Sequence, residues 1–478
     1  MTPIGKFALL SQTERNPSII SFFIALASKD EGMNALSNKA GEGMNIEEFE
    51  QLFHEALKKY SRLRSHIKDG YFEEVTNKSA FLHDSCLEVH HPKSPEEFKD
   101  RINKFLTDPI DVTDRPWEIN ISSGPLGSSG AILNSEELIK EGYKVETVAL
   151  FRVHHVVCDG VSMSSIVKEI SDEKEQLDSL LLDAVDKYKT HMKKMGMIKR
   201  LVGYVMYYLF GSIIAIVQQL WNMMTSVNPF NAVTEANTES DGKRSVCWKY
   251  LAKVDDAKAV AKTIGHHTRL NDLFVALLGR ALEKQYQLLE AKSETKPSTC
   301  PSSVSIVVTA HLTGSILPGQ TISNKVGAFV SRIPFKPSGH TSSLSRLGRI
   351  SKILSRAKRT PAPLISHFIT SLISKLGSAS IAKYALVHTN CQAVAVISNV
   401  MGYPFEIHWR SMPIKLLCAF LPLPQKIPVG LLVTSYNGQI ILSVESANSC
   451  VVSDAEKFLD FMLEEYKSIC LEAADKKE

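Results

Sequence analysis

Residues 154–160 read HHVVCDG, two histidines followed by three spacer residues, an aspartate and a glycine. The stretch before them, 145–153 (VETVALFRV), is short and rich in apolar and β-branched residues, which predicts a buried strand. Beyond Gly160 the apolar residues recur at helical spacing. We therefore expect residues 154–160 to lie on a loop between a strand and a helix, where a rigid scaffold presents side chains.

The chemistry of this loop suits proton transfer. Imidazole has an unperturbed pKa near neutrality, so a histidine here could act as general base towards an alcohol. A lone histidine after a strand is more often structural, and the aspartate or glycine alone would be weak evidence. The four fixed positions together are a stronger signal than any one of them.

HHxxxDG resembles the signature of the CoA-dependent acyltransferase superfamily. Most of the chain resembles one family within it, the wax ester synthase/diacylglycerol acyltransferases. Five further motifs, in the family's order, carry the resemblance: Arg115-Pro116-Trp117-Glu118, Asn271-Asp272, Asn324-Lys325-Val326-Gly327, Ile397-Ser398-Asn399-Val400-Met401-Gly402 and Ser435-Tyr436-Asn437-Gly438. Met401 departs from the pattern, since the family usually has proline there.

The resemblance implies an α/β (α+β) fold with two chloramphenicol-acetyltransferase-like lobes and a tunnel between them. Alternating strand-like and helix-like segments in both halves agree with this class. A change in composition divides the chain into a first lobe at 1–185, a hydrophobic crossover and linker at 186–245, and a second lobe at 246–478.

The resemblance also assigns roles in the first lobe. His155, the second histidine of the motif, is implied to be the catalytic base, with His154 as a neighbour of lesser role. Asp159 is implied to be structural and held in a salt bridge to an arginine that the sequence does not identify. Gly160 permits a turn or a close ligand approach.

Two motifs of the second lobe are implied to reach the site. Asn271 and Asp272 are expected to shape the face of the active site at the start of a helix. Ser398 and Asn399 could offer a polar contact to a developing oxyanion, although a structural loop is the favoured interpretation.

The activity implied is transfer of an acyl group from acyl-CoA, as co-substrate, to a long-chain fatty alcohol or diacylglycerol, giving wax ester or triacylglycerol. Attack by the acceptor hydroxyl needs neither a covalent intermediate nor a metal or other cofactor. An acyltransferase for a small alcohol and a non-catalytic lipid-binding protein of the same fold remain alternatives. The DFGWG motif of plant small-molecule acyltransferases is absent from the sequence.

Composition excludes some classes of function. A hydrophobic share of 44% and a charged share of 22% are typical of a folded protein. The formal charge of +4 is too small for the dense basic footprint that nucleic-acid binding needs. The 8 cysteines include no CxxC pair, so a zinc or dithiol site has no support.

One segment indicates a membrane. Residues 201–217 carry no charge, the apolar character extends over about 197–224, and lysines and an arginine precede it. The length is at the lower limit for a spanning helix, and an interfacial helix or a buried or dimer-forming helix fits as well. We expect the protein at the cytosolic face of the endoplasmic reticulum membrane or on lipid droplets. Nothing in the sequence indicates an oligomeric state.

Other segments predict ordinary elements. Residues 45–60 and 271–290 predict helices, 429–445 predicts a hairpin around Asn437-Gly438, and 225–245 predicts an exposed linker. A last helix is expected from Ser453, with Glu456 completing a capping box. A second histidine pair, His266-His267, lacks the glycine of the motif, so we interpret it as incidental.

Overall fold

A computed structural model describes most of the chain. The described residues are 1–14, 16–29, 43–90, 92–123, 143–194, 196–234, 244–293, 300–336, 342–390, 392–424, 426–447 and 451–476.

The described residues form strands and helices in alternation. The strands are β1 (Ile19–Lys29), β2 (Ser65–Lys68), β3 (Tyr71–Glu74), β4 (Cys86–Glu88), β5 (Trp117–Ser123), β6 (Tyr143–His154), β7 (Ser245–Lys253), β8 (Ser303–His311), β9 (Val326–Pro334), β10 (Ala395–Met401), β11 (His408–Trp409), β12 (Met412–Phe420), β13 (Val429–Tyr436) and β14 (Gln439–Ser446). The helices are α1 (Pro3–Ser11), α2 (Ile46–Lys59), α3 (Lys78–Ser85), α4 (Pro95–Thr107), α5 (Gly160–Glu169), α6 (Lys174–Lys194), α7 (Met197–Val205), α8 (Gly211–Thr225), α9 (Val254–Lys262), α10 (Leu270–Lys292), α11 (Ser343–Ala357), α12 (Ala362–Leu376), α13 (Ala379–Thr389) and α14 (Ala455–Asp475).

Two six-stranded mixed sheets organise the molecule. The first has the order β11-β12-β1-β6-β5-β4 and the second the order β7-β14-β13-β10-β8-β9. In the second sheet β10 lies between β8 and β13 and runs parallel to both. Each sheet is covered by helices, so the mixed α/β class predicted from the sequence is confirmed.

The first sheet borrows strands from the C-terminal half of the chain. β12 pairs antiparallel with β1, and β11 pairs with β12. Trp409, fully buried, packs its ring against Phe49 and Phe151 of the first core. The second half of the chain therefore contributes to the first core, beside the first sheet, and to the second core, beside the second sheet. The division of the chain into lobes at 1–185 and 246–478 stays a prediction.

Local signals in the sequence placed several elements correctly. The helix predicted over 45–60 is α2, and Asn45 caps it in a capping box with Glu48. Asn437 and Gly438 have φ of 48° and 71° in the tight turn between β13 and β14, which confirms the hairpin. Such a turn needs positive φ at both central residues, which explains the Asn-Gly sequence.

Two expectations were wrong in detail. The last helix is capped by Asp454, whose carboxylate accepts from the Lys457 amide, rather than by Ser453. The predicted linker contains a short 3₁₀ turn at Pro229–Ala232, and Phe230 is fully buried in the second core. Residues 235–243 of that linker lie outside the described residues.

The uncharged segment is a continuous helix on the outside of the second lobe. It runs through α7, a π-helical turn at Met206–Phe210 and α8. By length and composition alone it could cross a membrane, and only 11% of its most apolar stretch is buried. Gly211, Ala215 and Asn222 are the buried residues of α8, and their spacing places them on one face. A helix buried inside the protein is thereby excluded as an interpretation.

Candidate active site

The HHVVCDG loop joins β6 to α5 at the junction of the two lobes. The His155 amide donates to the Ser18 carbonyl at 2.9 Å, which fixes the start of the loop. Gly160 opens α5, and a Cβ placed there would lie 3.4 Å from the Val400 side chain of β10. The start of α5 therefore lies beside the second sheet, at a distance that would still accommodate a Cβ.

The His155 ring is held in one tautomer by Asn324. The Asn324 side-chain N–H donates to the His155 carbonyl oxygen at 2.8 Å, so its Oδ1 is the atom that faces His155 Nδ1, at 3.0 Å. Because an amide oxygen only accepts, Nδ1 must carry the proton. The neutral ring then has its lone pair on Nε2, the state that a general base requires.

His154 is held in the opposite tautomer. The Val156 amide donates to its Nδ1 at 3.0 Å, so Nε2 carries the proton and donates to Gln12 Oε1 at 2.9 Å. Burial, followed by the proximity of His155, lowers the pKa of His154 to about 3. His154 is therefore neutral near pH 7 with both ring nitrogens occupied, which indicates a structural role.

Asp159 is fully buried and organises the loop. One carboxylate oxygen accepts from the Ser162 amide at 2.9 Å and caps α5, and the other accepts from the Lys325 amide at 2.8 Å. Burial alone would raise its pKa, but the nearby His311 ring and the two amides hold the pKa below its usual value. Among the described residues the side-chain ion-pair partner of Asp159 is His311, at 3.4 Å. The prediction of a salt bridge to an arginine was therefore wrong.

Three consecutive residues of the second lobe clamp this loop. Ser323 accepts at its carbonyl from the Ser162 hydroxyl at 2.7 Å, Asn324 binds His155, and the Lys325 amide binds Asp159. Asn324 and Lys325 belong to a motif that the sequence identified, but no sequence feature assigned them a role at the histidine. The signal was present, and the contact was missed because it joins residues 169 positions apart.

The cysteine inside the motif is not a nucleophile. Cys158 is buried among the residues of the first core. Burial, followed by the neighbouring Asp159 carboxylate, raises the pKa of its thiol. The thiol therefore stays protonated, and the thiolate that attacks an acyl group is not formed.

A cavity of about 310 Å³ lies between the lobes beside His155. Its wall includes His155 and Gly160 of the motif loop, residues of α1, and residues of β8, β10, α12 and α13. Most of these side chains are apolar, and the polar ones include His155, Ser398 and Asn399. This combination is typical of a site for an apolar ligand that is oriented by a few polar groups.

Comparison with known proteins agrees with this geometry. Residues 322–470 match the WS/DGAT C-terminal domain. The chain is similar to wax ester synthase/diacylglycerol acyltransferase 9 of Arabidopsis thaliana, with 23% identity over 80% of each protein. It is also similar in structure to the wax ester synthase/diacylglycerol acyltransferase of Marinobacter aquaeolei, with a TM-score of 0.57 and 13% identity over 99% of this chain and 100% of the other.

Residues 322–470 therefore carry the WS/DGAT C-terminal domain.

Two other solved structures are similar in fold. The trichothecene 15-O-acetyltransferase of Fusarium sporotrichioides has a TM-score of 0.59 at 11% identity, covering 97% of this chain and 94% of that one. The starter condensation domain of rhizomide synthetase, solved in complex with C8-CoA, has a TM-score of 0.55 at 11% identity, covering 99% and 94%. At these identities the structures establish the fold alone. The match of residues 322–470 to the WS/DGAT C-terminal domain, together with the similarity to the Arabidopsis thaliana wax ester synthase/diacylglycerol acyltransferase, indicates that the protein is an acyltransferase.

The family motif on β10 brings two of the predicted residues to the cavity. Ser398 and Asn399 both line it. The Asn399 side-chain N–H donates to Asn271 Oδ1 at 2.6 Å, so the amide is already engaged. The Ser398 hydroxyl forms no hydrogen bond with the described residues, which leaves its O–H free to donate.

The two residues of the Asn271-Asp272 motif make different contacts. Asn271 reaches the site indirectly, through Asn399. Asp272 is fully buried, accepts from the Arg269 amide at 2.9 Å and pairs with Lys358 at 2.6 Å. Asp272 therefore fixes the start of α10 and does not contact the cavity.

Met401, at the position where the family usually has proline, continues β10. Met401 pairs with Ser435 in the parallel ladder, and the Gly402 amide donates to the Ser435 carbonyl at 2.8 Å. A Cβ on Gly402 would lie 2.4 Å from that carbonyl oxygen, so glycine is needed there. The methionine thus leaves the strand regular up to the glycine.

Proposed function

We propose that the protein transfers the acyl group of acyl-CoA to a long-chain alcohol or diacylglycerol, with His155 as the general base. The observation that carries this proposal is the Asn324–His155 hydrogen bond. It leaves a basic Nε2 on a ring that lines a largely apolar cavity between the lobes.

The reaction follows from that tautomer. His155 Nε2 takes the proton of the acceptor hydroxyl, and the oxygen attacks the thioester carbonyl. The tetrahedral intermediate expels the CoA thiolate, which takes the proton back from His155 Nε2. The C–O bond of the ester forms, the C–S bond breaks, and no acyl group is attached to the protein.

The charge on the tetrahedral intermediate needs a donor. Ser398 lines the same cavity as His155 and its hydroxyl is free among the described residues, whereas the Asn399 amide is held by Asn271. We assign the oxyanion contact to Ser398. Removal of such a donor typically costs about 100- to 1000-fold in kcat when the donor is well placed.

A long-chain acceptor suits the surroundings of the cavity. The α12–α13 hairpin lines the cavity with Ser366, Thr370 and Leu386. Its outer side leaves Phe368, Leu372 and other large apolar side chains exposed. The hairpin is thus apolar outside and forms the cavity wall inside, which is the arrangement that a lipid entering from a bilayer would need.

The long apolar helix lies next to this hairpin. Gln219 of α8 donates to the Thr389 carbonyl of α13 at 2.8 Å, and Gly211 packs on Pro361 at the start of α12. Exposed apolar residues on α8, α12 and α13 therefore belong to one side of the molecule. We propose that this side contacts the cytosolic leaflet of the endoplasmic reticulum or the surface of a lipid droplet, with the lysines before Met197 facing anionic headgroups.

A product assay on purified protein in detergent tests the function. Labelled palmitoyl-CoA is supplied with hexadecanol, diacylglycerol or a short alcohol, and the ester formed is measured for the wild type and for His155→Ala. We expect ester with a long-chain acceptor and its loss in the variant. Activity with the short alcohol alone would replace the lipid acceptor by a small one, and no ester from a folded wild type would leave lipid binding without catalysis.

A further inference from the structure

A second and larger cavity, of about 670 Å³, lies in the second lobe away from the HHVVCDG loop. Its wall is formed by α11, by the loop before α10 and by the end of α14. Five basic residues line it: Arg349, Lys352, Arg356, Arg359 and Lys476. No Asp or Glu occurs among the described residues of the lining.

The sequence of α11 concentrates this charge on one face. Arg349, Lys352 and Arg356 are spaced three and four residues apart, so they are neighbours on the helix surface. The opposite face buries Leu347, Ile350 and Leu354 in the second core. Like charges at this spacing disfavour a helix, so the packing of the apolar face must offset their repulsion.

These basic residues are unpaired within the described parts of the chain. None of the five forms an ion pair with a carboxylate there, whereas Arg346 of the same helix pairs with Glu283 at 2.8 Å. A solvated helix face usually intersperses both signs of charge and is convex. Here several cations of one sign converge on a concave wall that also carries the hydroxyls of Ser345 and Ser355.

We infer that this cavity binds the phosphate groups of a phosphate-bearing amphiphile, with Arg349, Lys352 and Arg356 as the ligands. Guanidinium and ammonium groups form short, charge-assisted hydrogen bonds with phosphate oxygens. Its volume falls within the range of roughly 300–1,000 Å³ that small-molecule sites occupy. Two sources of such phosphates are relevant, the nucleotide end of acyl-CoA and the headgroup of an anionic phospholipid.

The cavity is connected to the catalytic cavity by a short series of side chains. Ser351 and Thr268 of its wall are hydrogen-bonded to each other, and Ser351 also donates to Asp272 at 3.2 Å. The neighbouring Asn271 binds Asn399, which lines the catalytic cavity. An acyl-CoA with its thioester near His155 would have its nucleotide end at a distance from the reacting atoms, and this cavity offers cations to receive it.

The cavity also adjoins the apolar helix. A Cβ on Gly211 would lie 3.4 Å from the carbonyl oxygen of Arg359, a residue of the cavity wall. A phospholipid headgroup beside the proposed membrane surface is therefore the second source to be tested. The acyl-CoA source rests on the proposed function, but binding of phosphate to the cavity does not.

Equilibrium binding measures the site without relying on turnover. The protein and its triple variant Arg349→Ala/Lys352→Ala/Arg356→Ala are titrated with adenosine 3′,5′-bisphosphate and with CoA by calorimetry. Both are then sedimented with phosphatidylcholine vesicles with and without phosphatidic acid. The matched control Lys253→Ala/Lys292→Ala/Lys457→Ala removes three exposed positive charges elsewhere on the second lobe.

We expect the triple variant to bind the nucleotide probes about tenfold or more weakly, a change of at least about 1.4 kcal/mol, with the control unchanged. In that case the KM for acyl-CoA rises while kcat is retained. Loss of binding to the phosphatidic acid vesicles alone would assign the phosphate to a lipid. Wild-type affinity for every probe in the triple variant would overturn the site.

Folding is checked separately, by circular dichroism and thermal unfolding. The three side chains are exposed, so we expect no loss of stability in the triple variant. The single variant Arg356→Gln gives a milder test should the triple variant misfold. If the wild type makes no ester with any acceptor but still binds the probes through these residues, the proposed function fails and the phosphate site stands.

Discussion

The chain contains two segments that begin with a histidine pair and end at the start of a helix, His154-His155 before α5 and His266-His267 before α10. In both, a buried aspartate holds the helix start: Asp159 caps α5, and Asp272 binds the Arg269 amide at α10. The two segments differ in which residues of the rest of the molecule contact them. Residues 323–325 of the second lobe bind the first segment, whereas both histidines of the second are exposed.

The comparison shows that a histidine pair and a nearby aspartate do not make a site by themselves. The same local scaffold carries the proposed general base only in the first segment, where a residue of the other lobe fixes the tautomer and a largely apolar cavity adjoins the ring. The second segment has neither feature among the described residues.

The largest expected effect comes from breaking the comparison at its histidines. His155→Ala removes the proposed general base, and we expect kcat/KM to fall by about 100- to 10,000-fold, the usual contribution of a positioned acid–base group. His266→Ala in the second pair, whose ring lines neither cavity, should retain wild-type activity. Steady-state kinetics with palmitoyl-CoA and the best acceptor measures both, and equal losses would refute the distinction.

The two aspartates sharpen the comparison next. Asp159→Asn and Asp272→Asn each remove a buried carboxylate from N–H or ammonium donors, and we expect each to lower the free energy of unfolding by about 2–4 kcal/mol. Under conditions where both variants are folded, Asp159→Asn should also lose activity because it releases the clamp on His155. Urea unfolding and kcat together test this.

The reverse pattern would contradict the assignment. If Asp272→Asn lost more activity than Asp159→Asn at equal folded fraction, the start of α10 would have a direct catalytic role. The lowered pKa of Asp159 adds a pH test. Its stabilisation is present above the unfolded pKa of about 3.9 and is lost as the pH falls through the lower folded pKa.

Asn324 accounts for the main difference between the two segments. Asn324→Ala removes the acceptor of His155 Nδ1–H, so the ring can adopt the other tautomer, and we expect kcat to fall by about 10- to 100-fold. Asn324→Asp places a carboxylate at Nδ1, favours the imidazolium and should shift the acidic limb of the pH–rate profile to higher pH. Full activity and an unchanged profile in both variants would show that the tautomer is set elsewhere.

Much of the active site could be predicted because its signals are local. The strand, loop and helix around residues 154–160 follow from a run of apolar residues, a motif and a change of periodicity within a short stretch. The hairpin at 429–446 follows from its Asn-Gly turn. The family resemblance then supplied His155 as base and the two-lobed fold.

What could not be predicted depends on residues distant in the chain. The pairing of β12 with β1 joins residues almost 400 positions apart, and a hydrophobic strand carries no label for its partner. The His311 partner of Asp159 and the basic cavity likewise join segments that are distant in the chain. Residues 225–245 were predicted to be wholly exposed because their composition is polar, and a single buried residue, Phe230, hardly changes that composition.

The smallest expected effect distinguishes the two histidines of the motif from each other. The pKa of His154 is lowered to about 3, chiefly by burial and then by His155, while an unfolded histidine has a pKa of about 6.5. At a pH between these two pKa values, His154 therefore binds a proton in the unfolded chain and does not bind one in the folded chain. The contribution of His154 to stability is full above about pH 6.5 and is lost as the pH falls below it, by about 1.4 kcal/mol from pH 7.5 to 5.5.

Replacing His154 with glutamine should remove that part of the pH dependence. Gln keeps polar atoms near Gln12 and Val156 but does not titrate, so His154→Gln starts from a lower stability and loses less of it on acidification. Urea unfolding at the two pH values gives the slope, with His267→Gln of the exposed pair as control, where the wild-type slope should persist. A wild-type slope in His154→Gln would mean that the ring accepts a proton within the fold, and the assignment of His154 as the neutral structural partner of His155 would have to be abandoned.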